Sequence, residues 1–276
     1  MKAPIVAVHG VNTLQSEPAP EAAAKLAEGW AEKLATGYRN AQLVRPAPPL
    51  AAAYYADLLD SQAQGVGELQ ILTPTEQEWA WQWLRALGVP EPDGQQGALS
   101  KPFRQALNWL STRKGAPADM LSRIMTALLR ETYVYLTRAG VRERCQQRVL
   151  DAIEQSGAKI VVAHSLGTVV TYEALCAHPE MRVDLLVTLG SPLGLPGSIF
   201  DALRPEPIDG RGARPAGVQR WLNIADEGDV VAVPARLGDK FPVDQHEELF
   251  LGILAYHAFD SYLSQSLVAA AIDTYL

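Results

Sequence analysis

The chain has 276 residues, enough for one large domain or two small ones, and its 48% hydrophobic and 20% charged residues are ordinary globular usage, which excludes a disordered, collagenous or low-complexity protein. Its 24 Lys and Arg against 31 Asp and Glu leave a formal charge of −7, which argues against nucleic acid or an anionic membrane as partner, since both call for a basic face. The only cysteines, Cys145 and Cys176, lack the spacing of a zinc site, so neither a metal nor a cofactor is expected.

The N-terminus runs from Met-Lys-Ala-Pro straight into Ile5-Val6-Ala7-Val8, with no room for a secretory leader, and no apolar run approaches the ~20 residues of a membrane span. The expectation is a soluble, cytoplasmic protein. Residues 4–8 read as a buried strand closed by the turn His9-Gly10. From Glu21 to about Thr36 apolar positions recur at helical spacing, and Ala41–Val44 reads as a second short strand. From Pro46 to about Gly140 strand-like runs vanish. Helical patterns at Glu76–Leu87, Phe103–Leu110 and Met120–Leu136 are joined by loops at Gly88–Gly97 and Lys114–Pro117.

After Val141 helix and strand alternate again: helix at Arg142–Gln155, strand at Lys159–Ala163, helix at Leu166–Ala177, strands at Val183–Leu189 and Val218–Ala225, and one closing helix at Phe259–Tyr275. This alternation implies an α/β fold, a mostly parallel sheet with helices on both faces. Chemistry in such sheets sits beyond the carboxyl ends of the strands. The polar residues that follow strands are therefore the candidates.

The strongest of these is Ser165, in Ile160-Val161-Val162-Ala163-His164-Ser165-Leu166-Gly167, where an apolar strand reaches a serine and a helix begins at once. A nucleophile elbow needs this context and small residues two places before and after the serine. Ala163 and Gly167 supply them. The helix start also aims free N–H groups at any oxyanion forming near Ser165. A plain helix cap is the competing reading.

With these residues the chain resembles the lipase- and esterase-like serine hydrolases of the α/β-hydrolase superfamily, over the start of the chain and residues 159–275, with Ala163 in place of the usual first glycine. The resemblance implies an α/β-hydrolase core over residues 1–45 and 141–276, with residues 46–140 inserted as a helical cap. It implies an oxyanion hole made by the N–H groups of Leu166 and of Val11 in Val8-His9-Gly10-Val11-Asn12. It also implies the order serine, acid, histidine. His257 stands where the family places its base, while His246 lies in a charged run, 244–248, that reads as a solvated loop. Asp229, in the segment after the strand ending at Ala225, is the expected acid; Asp226 is the alternative, and Asp260 reads as a first-turn helix residue.

His9, Gly10, His164, Ser191, Pro192 and Leu193 are the expected substrate-facing residues around this centre, although His9 alone reads better as structural than as a base. Ser191 precedes a proline and lacks the elbow pattern, so it is read as pocket wall. The implied activity is hydrolysis of an ester with an apolar acyl group through an acyl-enzyme. A peptidase, a thioesterase or acyltransferase, a lyase or isomerase on the same fold, and a non-catalytic binding or scaffold protein stand as alternatives. The expected partner is a small-molecule or lipid acyl substrate.

Overall fold

The apolar runs assemble into one sheet in a computed structural model, which describes residues 2–59, 72–90, 100–252 and 257–276. Its strands are β1 (Ile5–Val8), β2 (Leu50–Ala53), β3 (Ile160–His164), β4 (Val183–Leu189), β5 (Val218–Asp226) and β6 (Gln245–Leu249). They lie in the order β2-β1-β3-β4-β5-β6, and every pairing is parallel. The helices are α1 (Ala19–Asn40), α2 (Pro74–Ala86), α3 (Ser100–Lys114), α4 (Ala118–Thr137), α5 (Val141–Ser156), α6 (Leu166–Ala177), α7 (Phe259–Leu263) and α8 (Ser266–Asp273).

Side chains alternate across each strand, and the two faces build two cores. Ile5, Ala7, Ile160, Val162, Leu185 and Val187 pack against Trp30, Leu34, Phe259, Tyr262 and Ile272 of α1, α7 and α8. Val6, Val8, Val161, Ala163 and Leu186 pack on the opposite face with Val149, Ile153, Val169 and Val170 of α5 and α6, a core that continues into α2, α3 and α4. Burial on both faces explains why the central strands read as unbroken apolar runs. A parallel sheet in this order, covered on both sides, with β3 turning sharply into α6, has the α/β-hydrolase arrangement.

Four expectations are corrected. Ala41–Val44 forms no strand: it is a turn with Gln42 at φ 55° and Val44 fully exposed. The second strand is instead Leu50–Ala53, held by pairing to β1, so the sheet reaches into the segment expected to be helical from residue 46. The charged run around His246 is the edge strand β6, whose half-exposed position tolerates polar side chains. The closing helix is two, because the Ser264 hydroxyl donates back to the Asp260 carbonyl and Gln265 is extended. Residues 91–97 of the expected 88–97 loop lie outside the described residues.

Helices α2, α3 and α4 sit beside loops at the carboxyl ends of strands. Trp83 Nε1 donates to the Val230 carbonyl (2.7 Å), Lys114 Nζ to the Glu227 carbonyl (3.2 Å), and Glu131 accepts from the Asn12 N–H (2.8 Å). Helix α2 starts in a capping box, Thr73 with Glu76.

Candidate active site

Ser165 occupies the turn between β3 and α6 at φ 52°, ψ −130°, a left-handed backbone that costs a non-glycine residue free energy and is characteristic of functional turns. The turn is braced from both sides. The Ser165 N–H donates to the Leu189 carbonyl (3.1 Å), and its carbonyl accepts from the Thr168 N–H (2.9 Å) and the Thr168 hydroxyl (2.8 Å). The helix-cap reading is replaced: the Ser165 side chain makes no cap hydrogen bond, and its hydroxyl lies 2.9 Å from His257 Nε2.

The chain of contacts continues from His257 Nδ1 to Asp229 Oδ2 at 2.7 Å. A carboxylate only accepts, so Nδ1 carries the ring proton and Nε2 is left as an acceptor for the serine hydroxyl. Asp229 is held in turn. Its Oδ1 accepts from the Val231 N–H (2.8 Å), and its Oδ2 also accepts from the Tyr262 hydroxyl (3.2 Å). Tyr262 is fully buried, and burial beside Asp229 raises its phenol well above the ordinary range, so it remains a donor. The same hydroxyl accepts from the Asp226 N–H (2.9 Å). Ser165, Asp229 and His257 are themselves buried.

The loop after β1 abuts the elbow. A Cβ on Gly10 would come within 2.5 Å of the Ser165 Cβ, and one on Gly167 within 2.2 Å of the His9 carbonyl oxygen, so both positions require glycine. This contact sets the His9–Gly10 backbone, which Val11 follows, beside the start of α6, whose first N–H groups, Leu166 among them, have no intrahelical acceptor. Val11 is half-buried and Asn12 exposed.

The remaining predicted residues take other places. His9 is buried between fixed partners: Nδ1 lies 2.7 Å from the Gly10 carbonyl, and Nε2 accepts from the Tyr55 N–H at 3.0 Å. Burial lowers it to about 4, and neither nitrogen is left to meet a substrate. His164 is buried and stacks on Phe259 at 5.2 Å and 4°, with its ring centre 4.6 Å from that of His257. Burial keeps His164 neutral, so it opposes no positive charge arising on its neighbour. Ser191, Pro192 and Leu193 are buried as well. The Thr168 hydroxyl spends its proton on the Ser165 carbonyl, so Ser191 donates to it at 2.8 Å. His9 and Ser191 thus spend their hydrogen-bonding atoms on the protein's own groups, and His164 packs against the ring of His257.

His246 stands on β6 against Asn223 (2.9 Å) and Glu248 (3.4 Å). Asp226 accepts from the N–H groups of Gly228 (2.6 Å) and Leu251, fixing the turn after β5. Asp260 pairs with Lys33 at the surface (3.5 Å). Two contributors were missed. Tyr262 shows in the sequence only as one apolar position of the closing helix. Gly190, at φ 51°, has its Cα facing the Asp229–His257 pair; a glycine directly after a buried strand was its only signal. Among the described residues no group of three or more His, Cys, Asp or Glu is arranged to hold a metal ion, and no helix is long and apolar enough to cross a membrane.

No protein-family model matches the chain, and no curated protein matches it either. Among solved structures, dienelactone hydrolase from Anabaena variabilis aligns with 99% of this chain and 85% of its own, at 15% identity and a TM-score of 0.35. The fold assignment stands on the sheet order and the strand–elbow–helix turn.

Proposed function

We propose that this protein is a serine hydrolase that cleaves carboxylic esters with an apolar acyl group through an acyl-enzyme. The observation that carries the reading is the unbroken hydrogen-bond chain from Ser165 through His257 to Asp229. Ser165 attacks the acyl carbonyl while His257 Nε2 takes its proton. Asp229 holds the ring in the required tautomer and stabilises the imidazolium. The N–H groups of Leu166 and Val11 receive the oxyanion, an interaction whose loss costs about 10²–10³-fold in comparable enzymes. His257 then returns the proton to the leaving alcohol, and water, activated by the same histidine, releases the acid. The acyl-group assignment draws on the aromatic side chains of the insertion, and on a net charge that disfavours polyanionic substrates.

Steady-state hydrolysis of p-nitrophenyl acyl esters of increasing chain length tests this. Wild-type turnover that Ser165→Ala lowers by at least about 10³-fold supports it. Equal turnover by the two proteins rejects it.

A further inference from the structure

The loop that bears Val11 is tied to a helix far away in the chain. Glu131 on α4 is fully buried, and its Oε1 accepts the Asn12 N–H at 2.8 Å across 119 positions. Asn12 follows Val11 directly and sits at φ 58°, a conformation that Asn tolerates better than most residues. Other bonds in the loop hold its flanks: the Thr13 hydroxyl donates to the Gly10 carbonyl (3.1 Å), and the Gln15 N–H donates to the Tyr54 hydroxyl (3.0 Å). The peptide between Val11 and Asn12 is held at its N–H by Glu131 from outside the loop, while its carbonyl meets only the neighbouring Thr13 hydroxyl, at 3.3 Å.

A carboxyl is a poor choice if stability alone decides the residue at 131. Its Oε2 is buried with no partner among the described residues, and burial pushes the group up to about 8, so it stays protonated at neutral pH. The titratable groups whose charge it meets are Tyr55, beyond β2, and Cys145 on α5. Burial raises both, and neither supplies a cation. An aliphatic side chain here avoids the cost of burying polar atoms but offers the Asn12 N–H nothing.

We propose that Glu131 is a positioning residue for acyl transfer. With Gly10 packed against Ser165 on one side and Asn12 bonded to Glu131 on the other, the backbone of Val11 is fixed and its N–H keeps its aim at the oxyanion. The helical insertion thereby becomes part of the oxyanion hole's support. This rests on the serine-hydrolase reading above.

The test pairs Glu131→Gln, which keeps the acceptor oxygen, with Glu131→Met, which keeps the length and removes it. Each is assayed on a p-nitrophenyl ester and for its thermal midpoint. Glu131→Met is expected to lower kcat by about 10- to 100-fold, as for a misplaced oxyanion donor. Its KM should stay within about twofold and its midpoint no lower than wild type, while Glu131→Gln should keep kcat within about threefold. Unchanged kcat in Glu131→Met, or equal losses in both variants, overturns the proposal. If Glu131→Met does not fold, Glu131→Asp, whose acceptor is withdrawn by one methylene, carries the same expectation as Glu131→Met and the same refutation. Ser165→Ala run alongside separates the two ideas. Ser165-dependent turnover that is insensitive to Glu131 removes this inference alone, whereas turnover that survives Ser165→Ala removes both.

Discussion

Replacing Gly190 by alanine probes how tightly the geometry behind His257 is set. A Cβ at this position would lie 2.7 Å from Asp229 Oδ2 and 3.1 Å from Cε1 and Nδ1 of His257, against the 3.4 Å at which ordinary contact begins. The carboxylate must therefore retreat by about 0.7 Å, the difference between 2.7 and 3.4 Å, and its bonds to Val231 and Tyr262 resist that movement. A displacement near 1 Å in a reacting constellation costs about 10²-fold in rate. The left-handed backbone adds about 1–2 kcal/mol of strain for any residue with a Cβ. At about 2–4 °C per kcal/mol for a chain of this size, the thermal midpoint falls by a few degrees and the fold survives. Gly190→Ala is thus expected to retain a cooperative melt while kcat on a p-nitrophenyl ester drops by about 10²-fold. A folded variant with kcat within about threefold of wild type would refute the argument that the Asp229–His257 placement governs the reaction.

Tyr262→Phe removes one donor from Asp229 and leaves the Asp226 N–H without its buried acceptor. Stability should fall by about 1–3 kcal/mol and kcat by more than about threefold; a variant as stable and as active as wild type contradicts the assignment. His257→Gln should reduce kcat by at least about 10³-fold and His246→Gln by less than about threefold; the reverse ranking would make His246 the base. Glu131 makes the fold pH-dependent, since its carboxyl is raised from the ordinary 4.5 to about 8. The unfolded chain loses this proton first, so the stability that Glu131 contributes is complete below about pH 4.5 and is lost as pH rises to about 8, by up to about 5 kcal/mol. Urea melts of wild type and Glu131→Gln should diverge over that window, and a constant difference between them from pH 5 to pH 9 contradicts the buried protonated carboxyl.

The centre of the sheet and the elbow were readable in the sequence because both are local patterns. Ile160–Ala163, buried on both faces, can only be apolar, and the strand-to-helix turn confines its flanks to small residues. The sheet edges were not readable. Leu50–Ala53 has the composition of a helix and becomes β2 only by pairing with β1, while the polar run Gln245–Leu249 is a strand because β5 offers it a free edge. The expected base and acid, His257 and Asp229, came from family order once Ser165 was found. The groups that hold them did not, because Gly190 and Tyr262 gain their meaning from side chains brought together over tens of residues, and Glu131 from a loop 119 positions away. The partners that take up the expected substrate-facing residues were hidden for a related reason. His164 adjoins the elbow in sequence, but His9 and Ser191 reach it only through the fold, where the Gly10 carbonyl, the Tyr55 N–H and the Thr168 hydroxyl take up their polar atoms.

The central claim is that Ser165 is a nucleophile activated by His257. Incubation with a fluorophosphonate, followed by intact-mass measurement and peptide mapping, addresses it directly. The account predicts one adduct per chain, on Ser165, formed by the wild type and absent from both Ser165→Ala and His257→Gln. Equal labelling of Ser165→Ala, or an adduct carried by another residue such as Ser191, would contradict it.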